Sequence, residues 1–526
     1  MKAVHLLRIC KVVAALYLCI YGLATTGLGA DVSASDASQA TPPIQLTATE
    51  IVIGPANEML AGRPSGSFPI SATNGFHAIS FKGLGDVVGA VVIDGKIFEV
   101  PPGFIRESMA VSPDGKRLAY IVKKDGNKRV VVVDGKEGEL YDAILTQMPV
   151  FSPDSKQVAY VAQIGSVDSR QSPSEQFLVL NGKEGKHYAS IWPFVMFSPN
   201  GQHVLYFASS NGRFDRPSDQ YFLVMDGVEG KGYAYRGGSL PQQNLTFSPD
   251  GKRFAFTVWD GKQVMPVIDG VEGKPYDNIL QNSLVFSPDS KRVAFMATRA
   301  HKNLAVVDGV EGKEFDTPDR SDNQPRIFFS PDSKHVSYRA QHGPKYAMVV
   351  DGAEGRLYDN TDLGAAFSAD GKHIAYAAKN GDKQFIVEDD VEGKPYAGAW
   401  NPVFSPDGKH LAYWARPSPD FAEQFVVVDG VEGKKYGRPA AGPLFSPDGK
   451  HVAFAAAKSP SQPFDVIVVD GVEFQPPSAL AFDPRFAMFL PKTFYFENPT
   501  TLDFLAIKMP GQQFVRVMVN IKQASK

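Results

Sequence analysis

The sequence predicts an all-β chain: a β-propeller of four-stranded antiparallel blades, about nine to ten repeats in one closed ring, with a split into two smaller propellers as the alternative. Three observations predict it. The word Phe-Ser-Pro-Asp-Gly-Lys returns nine times, from Val111–Lys116 through Phe404–Lys409 to Phe445–Lys450. Between Asp114 and Asp448, the fourth residues of the first and last copies, eight intervals average about 42 residues, near the length of a propeller blade. A second word, a β-branched run ending in Asp-Gly and usually continuing x-Glu-Gly-Lys-x-Tyr, has ten copies. Its Asp or Asn stands at Asp94, Asp134, Asn181, Asp226, Asp269, Asp308, Asp351, Asp389, Asp429 and Asp470. The composition agrees: 48 glycines, 39 prolines and 11% aromatic residues suit strands joined by many tight turns.

Residues 1–30 begin with Lys2, Arg8 and Lys11, continue in an apolar run from Val12 to Leu23 and end in small residues at Gly29-Ala30, the pattern of a cleaved secretory signal peptide. The expected location is therefore outside the cytoplasm, periplasmic or extracellular, with no membrane span after cleavage. Residues 31–45 are polar and small and read as a disordered linker. Residues 46–526 form the propeller, with clear repeats over 76–475 and divergent closing strands over 476–522. Alternating patterns predict strands at Thr47–Ile53 and Phe76–Phe81.

Within a repeat, Ser-Pro-Asp-Gly is a type I turn, Pro presetting φ and Gly accepting the positive φ that follows. In three copies Ser155, Ser290 or Ser333 replaces that Gly, at a strain of about 1 kcal/mol if the residue is left-handed. The turn joins strands a and b, the Asp-Gly hairpin joins c and d, and the Tyr-bearing segment is the outer strand d. Past Asp470 the words decay. Phe494–Thr500 is a worn first word, and Leu502–Ile507 with Phe514–Ile521 are closing strands that complete a blade begun near the N-terminus.

Antiparallel connectivity puts both words on one face and the variable b–c and d–a loops on the other. Those variable loops include 163–176, 209–220, 299–303, 320–326 and 416–424, and binding commonly resides on such loops. The candidate ligand face comprises Trp192, Trp259, Trp400, Trp414, Arg216, Arg326 and Arg416. The preferred reading of the tryptophans is padding of the contacts between blades, with stacking against a sugar or peptide as the alternative. His203, His335, His373, His410 and His451 share one position at the start of strand b, expected to be solvated rather than a metal ring.

A formal charge of −3 gives no electrostatic case for nucleic acid. The only cysteines, Cys10 and Cys19, lie in the leader, so the expected mature chain has no disulfide or thiolate site. Gly-x-Ser-x-Gly, His-Glu-x-x-His, phosphate-loop and Asp-x-Asp-x-Asp-Gly motifs are absent from the sequence, so no metal, cofactor or catalytic residue is assigned. Carboxylates from distant blades could still form a glycosidase pair.

These residues resemble the WD40-like propeller repeat with a Phe-Ser-Pro-Asp-Gly-Lys turn, of the TolB type, over roughly residues 76–522. The resemblance implies fold more than task. TolB-like proteins carry an N-terminal α/β domain for which this sequence shows only a linker and one or two strands. The Asp-Gly-x-Glu-Gly-Lys-x-Tyr word is also outside that pattern. The expectation is an exported, non-catalytic binding or scaffold module for a protein, peptide or glycan of the envelope or exterior. The alternatives are a polysaccharide-acting propeller enzyme and a structural component of an envelope assembly.

Overall fold

The computed structural model describes residues 44–55, 68–72, 75–84, 87–93, 96–165, 174–210, 220–234, 244–317, 326–420, 423–460, 466–475, 480–481, 494–508 and 513–523. The leader, most of the linker, the Asp94-Gly95 turn and Arg216 lie outside them. The described elements are strands, apart from a 3-10 turn at Asp125–Asn127. The chain divides into two compact units, one of Glu58–Ile327 and one of Met1–Asn57 with Phe328–Lys526.

Among the described residues the first unit carries six blades, each ordered a-b-c-d across its sheet, with strand a in two segments in some of them. Blade two shows the pattern, with strand a at Phe104–Val111, b at Leu118–Lys123, c at Arg129–Val133 and d at Lys136–Tyr141. Blades four and five are bridged into one nine-stranded sheet through Ala234, which pairs with both Gln220 and Trp259. The second unit carries blades seven to ten, whose strands b are Val336–His342, Ile374–Asn380, Leu411–Arg416 and Val452–Ala457. Its last sheet joins the chain ends: Ile44–Pro55 runs antiparallel to Gln513–Gln523, from Ile44 opposite Gln523 to Pro55 opposite Gln513. Ten Asp-Gly words thus accompany ten blades of a β-propeller architecture, and the terminal strands form the composite sheet the sequence anticipates.

Both turn readings hold. Asp134 and Gly135 have φ of 51° and 81°, the two positive values of a type I′ hairpin. In the other turn the Ser112 hydroxyl donates to Asp114 Oδ1 at 2.5 Å and accepts from Arg117 N at 2.9 Å, while Gly115 N donates to Ser112 O. The replacing serines are left-handed, with φ of 64°, 68° and 66° at Ser155, Ser290 and Ser333. Ser155 Oγ accepts Asp114 N, and Ser290 Oγ accepts Asp250 N, both at 3.0 Å and both across a blade junction. A net hydrogen bond of about 1 kcal/mol offsets strain of that order. At Gly371 space demands glycine: a Cβ there would stand 2.6 Å from the Asp332 carboxyl of the preceding blade.

Blades are joined twice over. On the turn side, Arg117 Nε meets Asp134 Oδ2 of its own blade at 2.8 Å. Its guanidinium also lies 5.3 Å from the Phe151 ring of the next blade and donates to Ser155 O. His373 and His410 repeat this, pairing with Asp389 and Asp429 at 2.7 Å and facing Phe404 and Phe445. The five histidines are therefore carboxylate-paired rather than merely solvated. At strand d, the Glu of one word is held by the Lys and Tyr of the preceding blade. Glu432 accepts from Lys394 at 2.6 Å and from the Tyr396 hydroxyl at 3.0 Å, and Glu473 likewise from Lys434 and Tyr436. Between these polar joints lie apolar ones, such as Ile121 and Val131 against Ile144, Tyr160 and Phe177. Each large side chain buried there contributes about 1.5–3 kcal/mol.

Two outcomes follow from the joints. Glu432→Ala strips Tyr396 and Lys394 of their acceptor and lowers stability by about 1–2 kcal/mol, whereas Lys394→Ala, at an exposed pair, costs under about 1 kcal/mol; urea unfolding of both variants checks this. The hydrogen bond to Asp389 raises the His373 pKa, with burial opposing. A raised histidine pKa stabilises fully below the unfolded value of about 6.5 and is lost as pH rises through the folded pKa. Thermal unfolding should therefore show His373→Gln costing more at about pH 5.5 than at about pH 8.5.

Candidate functional site

The register of each blade defines equivalent positions. The seventh residue after the motif Asp or Asn is fourth in strand b and faces the next blade: Ile121, Val161, Phe207, Thr257, Met296, Arg339, Ala377, Trp414 and Ala455. Seven of these are apolar, and Arg339 alone is charged. The fourth residue after the word's Tyr lies within strand a at Trp192 and Trp400 and directly follows its first segment at Leu145, Leu280 and Asp362. Asp362 is the charged one among these.

These two departures meet at the junction of blades seven and eight. Arg339 is 5% exposed; its Nη1 donates to Asn360 Oδ1 at 3.2 Å and to Thr361 O at 3.1 Å, and its guanidinium lies 4.6 Å from the Tyr346 ring. Tyr346 is itself a departure, for the same place holds Gln176, Gln384 and Gln424 elsewhere. Those glutamines reach the next strand a, Gln176 Oε1 accepting Ile191 N at 2.7 Å and Gln384 Oε1 accepting Ala399 N at 3.2 Å. Ile191 and Ala399 are the equivalents of Thr361, so Arg339 ties the same position as those glutamines but through the carbonyl of Thr361 rather than its N–H. Asp362 Oδ2 accepts Ala377 N at 2.8 Å. Burial raises the Asp362 pKa, against which the Ala377 N–H and the Arg339 charge act; burial in turn lowers that of Arg339. Two residues on, Gly364 lies under the half-exposed Phe328 ring, which a Cβ there would strike at 2.1 Å.

The sequence-derived candidates distribute as follows. In blade nine Trp400 pairs across strands with Trp414, and Gly398 with Arg416, whose chain lies over the glycine. Trp414 is 1% exposed; its indole N–H donates to Gly442 O at 2.7 Å and its ring meets Phe454 edge-on at 5.1 Å. It therefore packs between blades. Trp400 and Trp259 are half-buried against such clusters. Trp192 is half-buried in strand a of blade four, and Arg326 is exposed at the entry to blade seven. Arg216 lies outside the described residues. Tryptophan spotting missed the Arg339, Tyr346 and Asp362 group, although comparing repeats at fixed offsets from each word exposes it.

A buried charge is costly to leave without the opposite charge that acts on it, as Arg339 acts on Asp362. Arg339→Met, which leaves Asp362 without its compensating charge, should lower stability by about 3 kcal/mol. Adding Asp362→Leu should recover most of it, since blade six already uses Met296 and Leu280. Thermal and urea unfolding of the two single variants and the double variant check this.

No protein-family model matches the chain, and no curated protein matches it. Solved structures with related folds do. A eukaryotic initiation factor matches at 12% identity and TM-score 0.32, over 70% of this chain and 95% of that one. The Dos1 propeller matches at 11% and 0.29, over 62% and 90%. TolB from Acinetobacter baumannii matches at 17% and 0.22, over 58% and 77%. At these values none of them bears on function, and the chain's standing as a β-propeller with a TolB-like turn word rests on its own blades.

Proposed function

We propose that this chain is an exported, non-catalytic propeller scaffold that binds a protein, peptide or glycan of the envelope or exterior through its b–c and d–a edge. One observation carries this reading: the polar groups of both recurrent words are engaged in blade joints. The Asp, His or Arg and Phe of one face and the Glu, Lys and Tyr of strand d hold neighbour to neighbour. Repetition therefore serves architecture. Individuality lies at the other edge, where loops vary and where Arg339, Tyr346 and Asp362 break the repeat near the Gln341–Lys345 hairpin. Binding sites commonly sit where a rigid scaffold presents variable loops and where local rules are broken.

The second reading, an enzyme acting on polysaccharide, draws on Asp362, a carboxyl whose pKa burial raises. A glycosidase needs two carboxylates, whereas the charge acting on Asp362 is that of Arg339. We therefore favour binding.

A screen against glycans and an envelope extract, scored for retention and for turnover, tests the proposal. The expected result is retention without turnover, weakened by about tenfold or more in Trp192→Ala or Trp400→Ala and unchanged in Lys409→Ala on the turn face. Turnover abolished by Asp362→Asn contradicts it in favour of the enzyme.

A further inference from the structure

The outer rim of strand d presents a second surface. In three successive blades of the Glu58–Ile327 unit, the residue after the Asp-Gly turn is a valine in the open: Val228, Val271 and Val310 are 72%, 71% and 72% exposed. Each directly precedes the Glu that the preceding blade's lysine grips. Lys186, Lys231 and Lys274 approach Glu229, Glu272 and Glu311 at 2.6, 2.7 and 3.6 Å. The two charges of each pair are unequally placed. Lys231 is 66% exposed and its Glu272 29%, and Lys274 is 68% exposed and its Glu311 21%. Glu311 is also tied to the Tyr276 hydroxyl and to Arg299. Formal charges balance, yet they form a layer with ammonium groups outside and carboxylates beneath. The second unit repeats the arrangement, with Val391 and Val431 exposed and Lys394 on Glu432.

We propose that this rim docks on a lipid bilayer bearing anionic headgroups. An outward layer of ammonium groups complements lipid phosphates at short range, and an exposed ion pair is weak enough for the lysine to turn to a phosphate while the tyrosine still serves the glutamate. Valine methyls set among those lysines favour the headgroup boundary of a membrane over a soluble polyanion, since apolar area gains from leaving water only where an apolar phase receives it. The surface lies away from the b–c and d–a edge, so its test stands apart from that of the proposed function.

Sedimentation with vesicles of phosphatidylglycerol mixed with phosphatidylcholine, at low salt, makes the test. The comparison is wild type against Val228→Ser/Val271→Ser/Val310→Ser and Lys186→Gln/Lys231→Gln/Lys274→Gln, all carrying the same N-terminal segment. Expected is binding that rises with phosphatidylglycerol, falls with salt and weakens by about tenfold in either triple variant. The valine variant changes only solvent-facing side chains, so it reads out even if the lysine variant fails to fold. Equal binding to pure phosphatidylcholine vesicles, or valine and lysine variants that bind like wild type, overturns the proposal. So does heparin competition with the valine variant unaffected, which identifies a soluble polyanion as the occupant. Retention on glycans and on lipid-free protein of the envelope extract stays unchanged in the valine variant, which separates the two proposals.

Discussion

In blades four to six, nine and ten the Glu of the outer strand is held by the Lys and Tyr of the blade before it, and in blade eight Arg356 takes the lysine's part. Glu432 between Lys394 and Tyr396, and Glu473 between Lys434 and Tyr436, are the clearest cases. A carboxylate in that place without partners would carry an uncompensated desolvation penalty. Order in one blade is thus conditional on its neighbour, as expected of stacked repeats whose stability resides largely in nearest-neighbour interfaces. The second glycine of the word belongs to the same constraint. Gly393 and Gly433 bring their backbone so close to strand c that an added Cβ would stand 3.0 Å from the carbonyls of Ile386 and Val426. Where the repeats end, the dependence is met by the chain itself: Ile44–Pro55 joins Gln513–Gln523, and Leu502, Phe504 and Val519 pack on Ala453, Ile467 and Val469 of blade ten.

The turn face obeys the same logic with different chemistry. A cation at the start of strand b is bound by the Asp of its own Asp-Gly hairpin and covers the Phe of the next blade. Arg117 and His410 are interchangeable there because either gives a planar donor that can also lie against a ring. Blade three varies consistently: Gln157 replaces the cation where Asn181 replaces the Asp, and Gln157 reaches across to Gly201 O instead. Charge is matched to charge and amide to amide within one chain.

Local chemistry made much of this legible. Ser-Pro-Asp-Gly and Asp-Gly specify their own turns, alternation specifies strands, and antiparallel connectivity puts both words at one edge, as the contact of Arg117 with Asp134 requires. The terminal strand at 47–53 and its role in a composite sheet were also readable. What escaped depends on pairs some forty residues apart that meet only when blades stack. The Glu-Gly-Lys-x-Tyr word looks like a hairpin flank until its Glu is seen beneath the neighbour's Lys. Trp414 looks like a ligand platform until its N–H is found on Gly442 O. The histidines looked solvated because their Asp partners lie across a hairpin. Arg339, Tyr346 and Asp362 were hidden for a different reason: each is ordinary alone and becomes conspicuous only beside its equivalents.

On the proposed function, the repeated words build the scaffold and the departures from them bind the ligand. Hydrogen exchange of the protein with and without the ligand retained by the glycan and envelope screen tests this most directly. Slowed exchange is expected in the b–c and d–a segments, including 340–346 and 360–364, with the Asp-Gly and Ser-Pro-Asp-Gly hairpins unchanged. Protection concentrated on those hairpins, with the variable edge unaltered, would contradict it.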